Sequence, residues 1–180
     1  MVDIFCVASG PSLTKADCDL VAQSGAKICC VNNALQMFDQ IDCLYAGDLK
    51  WWRAYSDQIN IAVTEKWTCA KSAAKEFGLN LHHASGPFNS GMRAIQWAVQ
   101  QGYKSIALLG YDCSIKSGNH FHADHEFPRA HQLTNSKINK WHSQFAKAAR
   151  DAKNSKVKVY NCSRDTELGC FPRMSLEAVL

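Results

Sequence analysis

The residues best suited to chemistry in this chain are small, amide-bearing or acidic, and they recur just after apolar runs. Ser9-Gly10-Pro11-Ser12-Leu13 stops the first run, Asn32-Asn33 follows the second, Gly47-Asp48 the third, and Gly110-Tyr111-Asp112 ends a later one. Asn89-Ser90-Gly91 precedes a strongly helical stretch, where Asn89 or Ser90 supplies the N-cap. A small-residue turn between a strand and a helix lets a ligand approach the backbone. The free N–H groups and dipole of a helix start favour phosphate or carboxylate. Asparagine offers a donor and an acceptor without charge, which suits a base edge or a sugar hydroxyl, and Asp48 or Asp112 can accept from a ribose. Each of these residues is also an ordinary turn former. The nucleotide-site reading therefore rests on their joint placement.

Histidines supply the groups that could move protons. His120, His122 and His125 crowd the polar segment from Ser117 to Glu126, and His131 follows it. In an extended segment His120 and His122 face one side, and His125 or Asp124 can complete a ligand set for zinc or a similar ion. The same histidines also suit a polar lid, spanning about residues 113–131, that meets phosphate or acceptor on closing. Any of them has an unperturbed pKa near neutrality and can take a hydroxyl proton. His82 and His83 end a separate strand-like run, and His142 lies in the late helix.

Other chemistries fit less well. The turn at Gly10 lacks the three spaced glycines of the dinucleotide fingerprint, and Pro11 removes a donor. No phosphate loop ending in Gly-Lys-Ser/Thr occurs. The 20 basic and 16 acidic residues give a mild +4 without a basic arm or stripe, which argues against nucleic acid. No apolar run reaches bilayer length and the N-terminus lacks a signal-peptide pattern, so a cytoplasmic location is expected. The nine cysteines are scattered or sit in apolar runs without CxxC spacing, as expected of reduced thiols packing as small hydrophobes.

The elements that must position these residues alternate. Strand-like runs cover Asp3 to Ala8, Lys27 to Val31, Cys43 to Ala46, Ile59 to Val63, Leu79 to His82, Ser105 to Leu109 and Val157 to Asn161. Helical periods cover Thr14 to Gln23, Ser90 to Gln101 and Asn135 to Ala152. Trp51, Trp52 and Tyr55 suit a short helix after Asp48, while Trp67, Trp97 and Trp141 read as helical packing residues. The C-terminal stretch reads as a strand, a loop and a short helix begun by Ser175. The pattern predicts an α/β fold over residues 1–180: a single Rossmann-like domain, its mainly parallel sheet covered by helices on both faces, with a short His-rich lid. Ligands then sit beyond the carboxyl ends of the strands, where the residues named above fall.

Ser9-Gly10-Pro11-Ser12-Leu13, Asn32, Asn89-Ser90-Gly91, the run from Gly102 to Asp112 and the later His131 together resemble the bacterial sialyltransferases of the Campylobacter lipooligosaccharide type. A wider superfamily shares the Gly-Pro-Ser-Leu turn: the motility-accessory-factor glycosyltransferases and the archaeal 6-hydroxymethylpterin pyrophosphokinases. The resemblance implies transfer of a sugar from a CMP-linked donor to a glycan acceptor, with no metal or other cofactor required. It places the general base on His131, nucleotide contacts on Asn32, and phosphate or carboxylate contacts on Ser90, Gly91 and the Gly10 turn. The implied partners are thus a nucleotide sugar and a glycan, an oligomer is compatible with the chain, and the size suits a compact bacterial or prophage gene.

Two departures change the expected contacts. Ser9 stands where the family has asparagine before Gly-Pro-Ser, and Ala46-Gly47-Asp48 stands where it has another asparagine. A hydroxyl or carboxylate in place of an amide alters the donor and acceptor pattern, so a different base or sugar is expected. Two alternatives accompany this reading: an ATP- and magnesium-dependent phosphotransferase using Asp48 and Asp112 as metal carboxylates, and a non-catalytic nucleotide-binding module.

Overall fold

Apolar runs too short for helices bury both faces when they pair as the central strands of a covered parallel sheet, and the described residues form a seven-stranded sheet around such runs. The computed structural model describes residues 1–114 and 134–180. Strands β1 (Ile4–Val7), β2 (Lys27–Val31), β3 (Gln40–Tyr45), β4 (Ala62–Thr68), β5 (Asn80–Leu81), β6 (Ser105–Leu109) and β7 (Lys158–Asn161) form one sheet in the order β5-β4-β3-β2-β1-β6-β7. Every neighbouring pair is parallel. The helices are α1 (Lys15–Gln23), α2 (Leu49–Tyr55), α3 (Lys71–Phe77), α4 (Ser90–Gln100) and α5 (Asn135–Asn154).

Strand alternation sorts the core into two layers. Phe5 and Val7 of β1 face Cys18 and Val21 of α1, Trp51 and Trp52 of α2 and Ala73 of α3. Ile4 and Cys6 point the other way, into a core with Met92, Ile95 and Trp97 of α4 and Phe145 and Ala148 of α5. The fold is therefore α/β and Rossmann-like, with α1 to α3 on one face and α4 and α5 on the other. Strands β1 to β5 step outward in one direction, and β6 then returns to the opposite side of β1. The order reverses between β1 and β6, the place where such sheets open a crevice.

Side-chain caps start four of the helices. Thr14, Asp48, Asn89 and Thr134 each accept from the backbone N–H three residues on, satisfying a donor the helix itself leaves free. Among the described residues no helix is long and apolar enough to cross a membrane.

Three local expectations give way. The fourth strand is Ala62–Thr68, displaced from the predicted Ile59 to Val63, because pairing with β3 sets Gln40 against Ala62 and Tyr45 against Trp67. Its polar Thr64, Glu65 and Lys66 hid it from an apolar-run criterion. They are tolerated because the two-residue β5 covers only the far end of β4. Trp67 accordingly sits on a strand, not a helix. At the C-terminus Ser175 starts no helix: residues 176–179 make a turn in which the N–H groups of Val179 and Leu180 both donate to Leu176 O.

All nine cysteines are free thiols. Cys6, Cys29 and Cys43 stand in register across β1, β2 and β3, with Cys29 Sγ 3.5 Å from Cys43 Sγ. Hydrogen bonding to Cys29 and burial hold Cys6 well above the usual thiol range, while burial leads for Cys29 and Cys43. They pack as neutral, compact core residues.

A polar chain ties α4 to α5 through the second core. Arg93, 3% exposed, donates from Nη1 to Gln96 Oε1 at 2.6 Å, and Gln96 Nε2 donates to Asp151 Oδ2 at 2.6 Å. Lys147 Nζ reaches the same Asp151 oxygen at 3.0 Å. A neutral amide thus relays a buried cation to a half-exposed carboxylate, which avoids burying the carboxylate as well. Gln96→Met is expected to destabilise the fold by about 2–3 kcal/mol in urea unfolding, because it strips an acceptor from a buried guanidinium. Lys147→Met, at the solvent end, should cost under about 1 kcal/mol. Equal effects would show that Gln96 carries no special burden.

Candidate functional site

The carboxyl edge presents, in sheet order, Gly47-Asp48 after β3, Asn32 after β2, Ser9-Gly10 after β1 and Gly110-Tyr111-Asp112 after β6. The N-terminus of α4 overhangs this edge, since the Gly47 N–H donates to Ser90 Oγ at 3.1 Å. The strand-end residues singled out in the sequence are therefore neighbours along four adjacent strands.

The turn after β1 is closed by the protein's own carboxylate. Asp112 accepts from the Ser12 N–H at 2.7 Å and from Ser12 Oγ at 2.6 Å. The Gly10 N–H donates to Gly110 O, the Leu13 N–H donates to Gly10 O, and Pro11 has no N–H. Every backbone donor from Gly10 to Leu13 is thus used within the protein, and a carboxylate lies where an anion was expected. Two glycines make this possible. A Cβ on Gly10 would stand 2.4 Å from Gly110 O and 2.5 Å from Asp112, and one on Gly110, whose φ is +67°, would stand 2.2 Å from Ala8 O. Gly10 thus serves close packing of β1 against β6.

Next to this turn, the first turn of α1 is clamped from the C-terminal loop. Arg164 Nε and Nη2 meet the two oxygens of Asp17 at 2.7 and 2.8 Å. Burial pushes the Asp17 carboxyl up, but Arg164 and the Thr14 hydroxyl together hold it below its ordinary value. Ser163 accepts from the Tyr111 N–H at 2.8 Å. Ser163 thus supports the backbone of the edge, while Arg164 fixes the start of α1 beside it.

Asn32 and Asn33 have separate roles. Asn33 is buried and accepts from Trp51 Nε1 at 2.6 Å, fixing α2 to the end of β2. Asn32 is half-buried, with a left-handed backbone at φ +53°, and its Oδ1 is buried without a hydrogen-bond partner. A buried acceptor left unpaired costs about 1–3 kcal/mol. Asp48, exposed, caps α2 by accepting from the Trp51 N–H at 2.9 Å.

The start of α4 retains its donors. Asn89 Oδ1 accepts from the Met92 N–H at 2.8 Å, and Asn89 Nδ2 is held by Gln144 Oε1 of α5 at 2.9 Å. The N–H groups of Ser90 and Gly91 have no acceptor among the described residues, as geometry requires of a helix's first turn. Gly91 is hemmed in by Tyr111 and Phe145, whose atoms lie 3.1 and 3.4 Å from where a Cβ would be. Tyr111 Oη donates to Gly91 O at 3.2 Å.

Residues not singled out by their types complete the edge. Arg93 Nη2 donates to Ser85 O at 2.6 Å and Gly86 O at 2.9 Å, pinning the loop before α4, and its guanidinium lies 5.3 Å from the Phe88 ring centroid. Phe88, 37% exposed, lies over Gly47, where a Cβ would come within 2.5 Å of the ring. The one advance signal was a lone charge inside the apolar run Met92-Arg93-Ala94-Ile95. His82 is buried and shares a 2.7 Å hydrogen bond between Nδ1 and Tyr45 Oη. Burial, then the Arg93 charge, push its pKa down to about 4, so it is neutral near pH 7.

His120, His122, His125 and His131 lie outside the described residues, as does most of the expected lid. Among the described residues no group of three metal-ligating side chains comes together.

Burial carries the Asp112 carboxyl above the ordinary value, against the two Ser12 hydrogen bonds, and the Asp165 charge adds to the rise. With its folded value above its unfolded one, the folded state holds this proton more tightly. Its contribution to stability therefore grows as pH falls toward the unfolded value and is lost as pH rises through the folded value. The near-isosteric Asp112→Asn removes that dependence. Urea unfolding at pH 7 and pH 4 should show the wild type gaining on the variant at the lower pH, and a constant difference would mean that the carboxyl is not raised. The chain matches no family model, no curated protein and no solved structure.

Proposed function

We propose that the carboxyl edge across β3, β2, β1 and β6 binds a nucleoside phosphate, and that the protein transfers a sugar from a nucleotide-linked donor of the CMP type to a glycan acceptor. The observation that carries the nucleotide reading is Asn32: an amide held on left-handed backbone at a strand end, with its buried oxygen unpaired. An unstrained, satisfied residue would serve a purely structural turn better, and strain of this kind gathers at ligand sites. Asn32 is thus suited to accept from a base N–H.

The phosphate in this reading lies at the start of α4, where the Ser90 and Gly91 N–H groups are free and the Ser90 hydroxyl, accepting from Gly47, keeps its own proton to donate. The Gly10 turn orients that edge through Asp112 without touching phosphate. The exposed face of Phe88 offers an apolar wall for the base or sugar. His131 takes the general-base role by resemblance. As the anomeric carbon leaves the phosphate oxygen and bonds to the acceptor oxygen, the acceptor's proton passes to the imidazole and the nucleoside monophosphate departs with the bonding pair. Of the two carboxylates a magnesium-dependent phosphotransferase would use, Asp112 is engaged through both oxygens by Ser12, while Asp48 is exposed and spends only Oδ1 on its helix cap. The clamp on Asp112 favours sugar transfer over a two-carboxylate metal site.

Thermal unfolding with CMP, UDP, ADP, ATP and magnesium tests the site. CMP is expected to raise the melting temperature without metal, since about 2.7 kcal/mol accrues at a hundredfold excess over Kd. Asn32→Gly, which fits the left-handed backbone and so keeps the fold, should lose most of that shift. A panel in which no nucleotide stabilises the protein overturns the reading, and stabilisation by ATP with magnesium alone moves it to phosphotransfer. His131→Ala should retain the CMP shift while losing transfer to a glycan acceptor.

A further inference from the structure

Among the described residues the sheet ends on β7, and the outer side of that strand is only partly covered. The segment from Pro172 to Met174 pairs with its upper end, where the Asn161 N–H donates to Pro172 O and Asn161 O accepts from the Met174 N–H. Inward bonds come from the alternate residues, with the Lys158 N–H donating to Lys104 O and the Cys162 N–H to Leu108 O. By the two-residue period of a strand, the Val159 N–H and C=O point outward with Asn161. They have no partner among the described residues. Beside them runs a groove of about 770 Å³ between the second half of α5, β7 and the loop at Cys170 to Pro172.

Its lining is apolar at the floor and basic at the rim. Ala146, Ala149, Val159 and Phe171 form the floor, while Arg150, Lys153, Lys156 and Lys158 are all exposed, and no acidic residue among the described ones lines it. None of the four cations is ion-paired among the described residues. Lys153 lies in the last turn of α5 and offsets the helix dipole there, but Arg150 sits earlier on the helix and Lys158 lies on the strand. Lys156 holds a left-handed backbone, φ +57°, just past the helix, where glycine would be unstrained. A cation is retained there at a conformational cost.

We propose that this groove docks an acidic, extended segment of a partner protein, which adds to the edge of β7 as a further strand. Edge addition supplies backbone partners for Val159, the floor takes alternate apolar side chains, and the rim pairs with carboxylates. A second copy of this chain is disfavoured, because it would bring like charges at Lys158 together across the new pair. A bare polyanion would satisfy the rim and leave both the floor and the strand edge unused.

The test uses the full chain and a fluorescein-labelled eight-residue peptide of alternating glutamate and valine, with a lysine–valine peptide and a twelve-nucleotide oligothymidylate as comparisons. The acidic peptide should raise anisotropy and slow hydrogen exchange at the Val159 amide. Lys153→Glu combined with Lys158→Glu should weaken it at least tenfold. Lys156→Gly should raise the melting temperature while weakening peptide binding, a split that partial unfolding cannot mimic. The proposal falls if the acidic peptide does not bind, if Val159 exchange is unchanged, if the charge reversals leave affinity intact, or if the oligonucleotide binds more tightly than the peptide.

Discussion

The clamp of Asp112 on Ser12 governs the edge of this sheet. It sits where the strand order reverses, joins the ends of β1 and β6, and depends on two glycines that let Gly10 and Gly110 backbones meet. A carboxylate that accepts from a backbone N–H and a hydroxyl does what a bound anion would do at such a turn. The consequence falls on the rest of the edge. With the donors from Gly10 to Leu13 used internally, the first N–H groups of α4 and the buried Oδ1 of Asn32 are among the edge groups without a partner among the described residues.

The second half of the molecule is organised to hold α4 in that position. Ser90 is fixed to Gly47, Asn89 to Gln144, and Arg93 to the loop from Ser85 to Phe88 on one side and, through Gln96, to Asp151 on the other. These bonds link β3, α4 and α5 into one support. A buried guanidinium needs several acceptors to offset its desolvation, and it finds them in carbonyls and a neutral amide. The arrangement sets the loop before α4 while placing no carboxylate of the described residues against the guanidinium.

Sequence reasoning reached the strands that are apolar on both faces and missed the placement of β4, the one with a polar, half-covered pattern. It found the strand-end residues because loops at a carboxyl edge carry a recognisable composition. It could not assign them, because Asp112 as ligand contact and Asp112 as clamp have the same local sequence. Asn32 and Asn33 are adjacent and alike in type, yet one holds Trp51 and the other is unpaired. That difference arises from the left-handed turn at Asn32, which no composition announces. Phe88 and Arg93 gain their importance from contacts with Gly47 and distant carbonyls.

By itself, then, the sequence determined the alternation of strands and helices, the double-sided core and the set of small and amide residues at the strand ends. These follow from hydrophobic periodicity and turn chemistry, which act over a few residues. Only the tertiary structure decided which donors remain free, because Ser12 meets a carboxylate that is 100 residues away along the chain. It also decided that β7 ends the sheet beside a basic groove. Long-range pairing, set by the strand order, brings such groups together, and no local pattern records it.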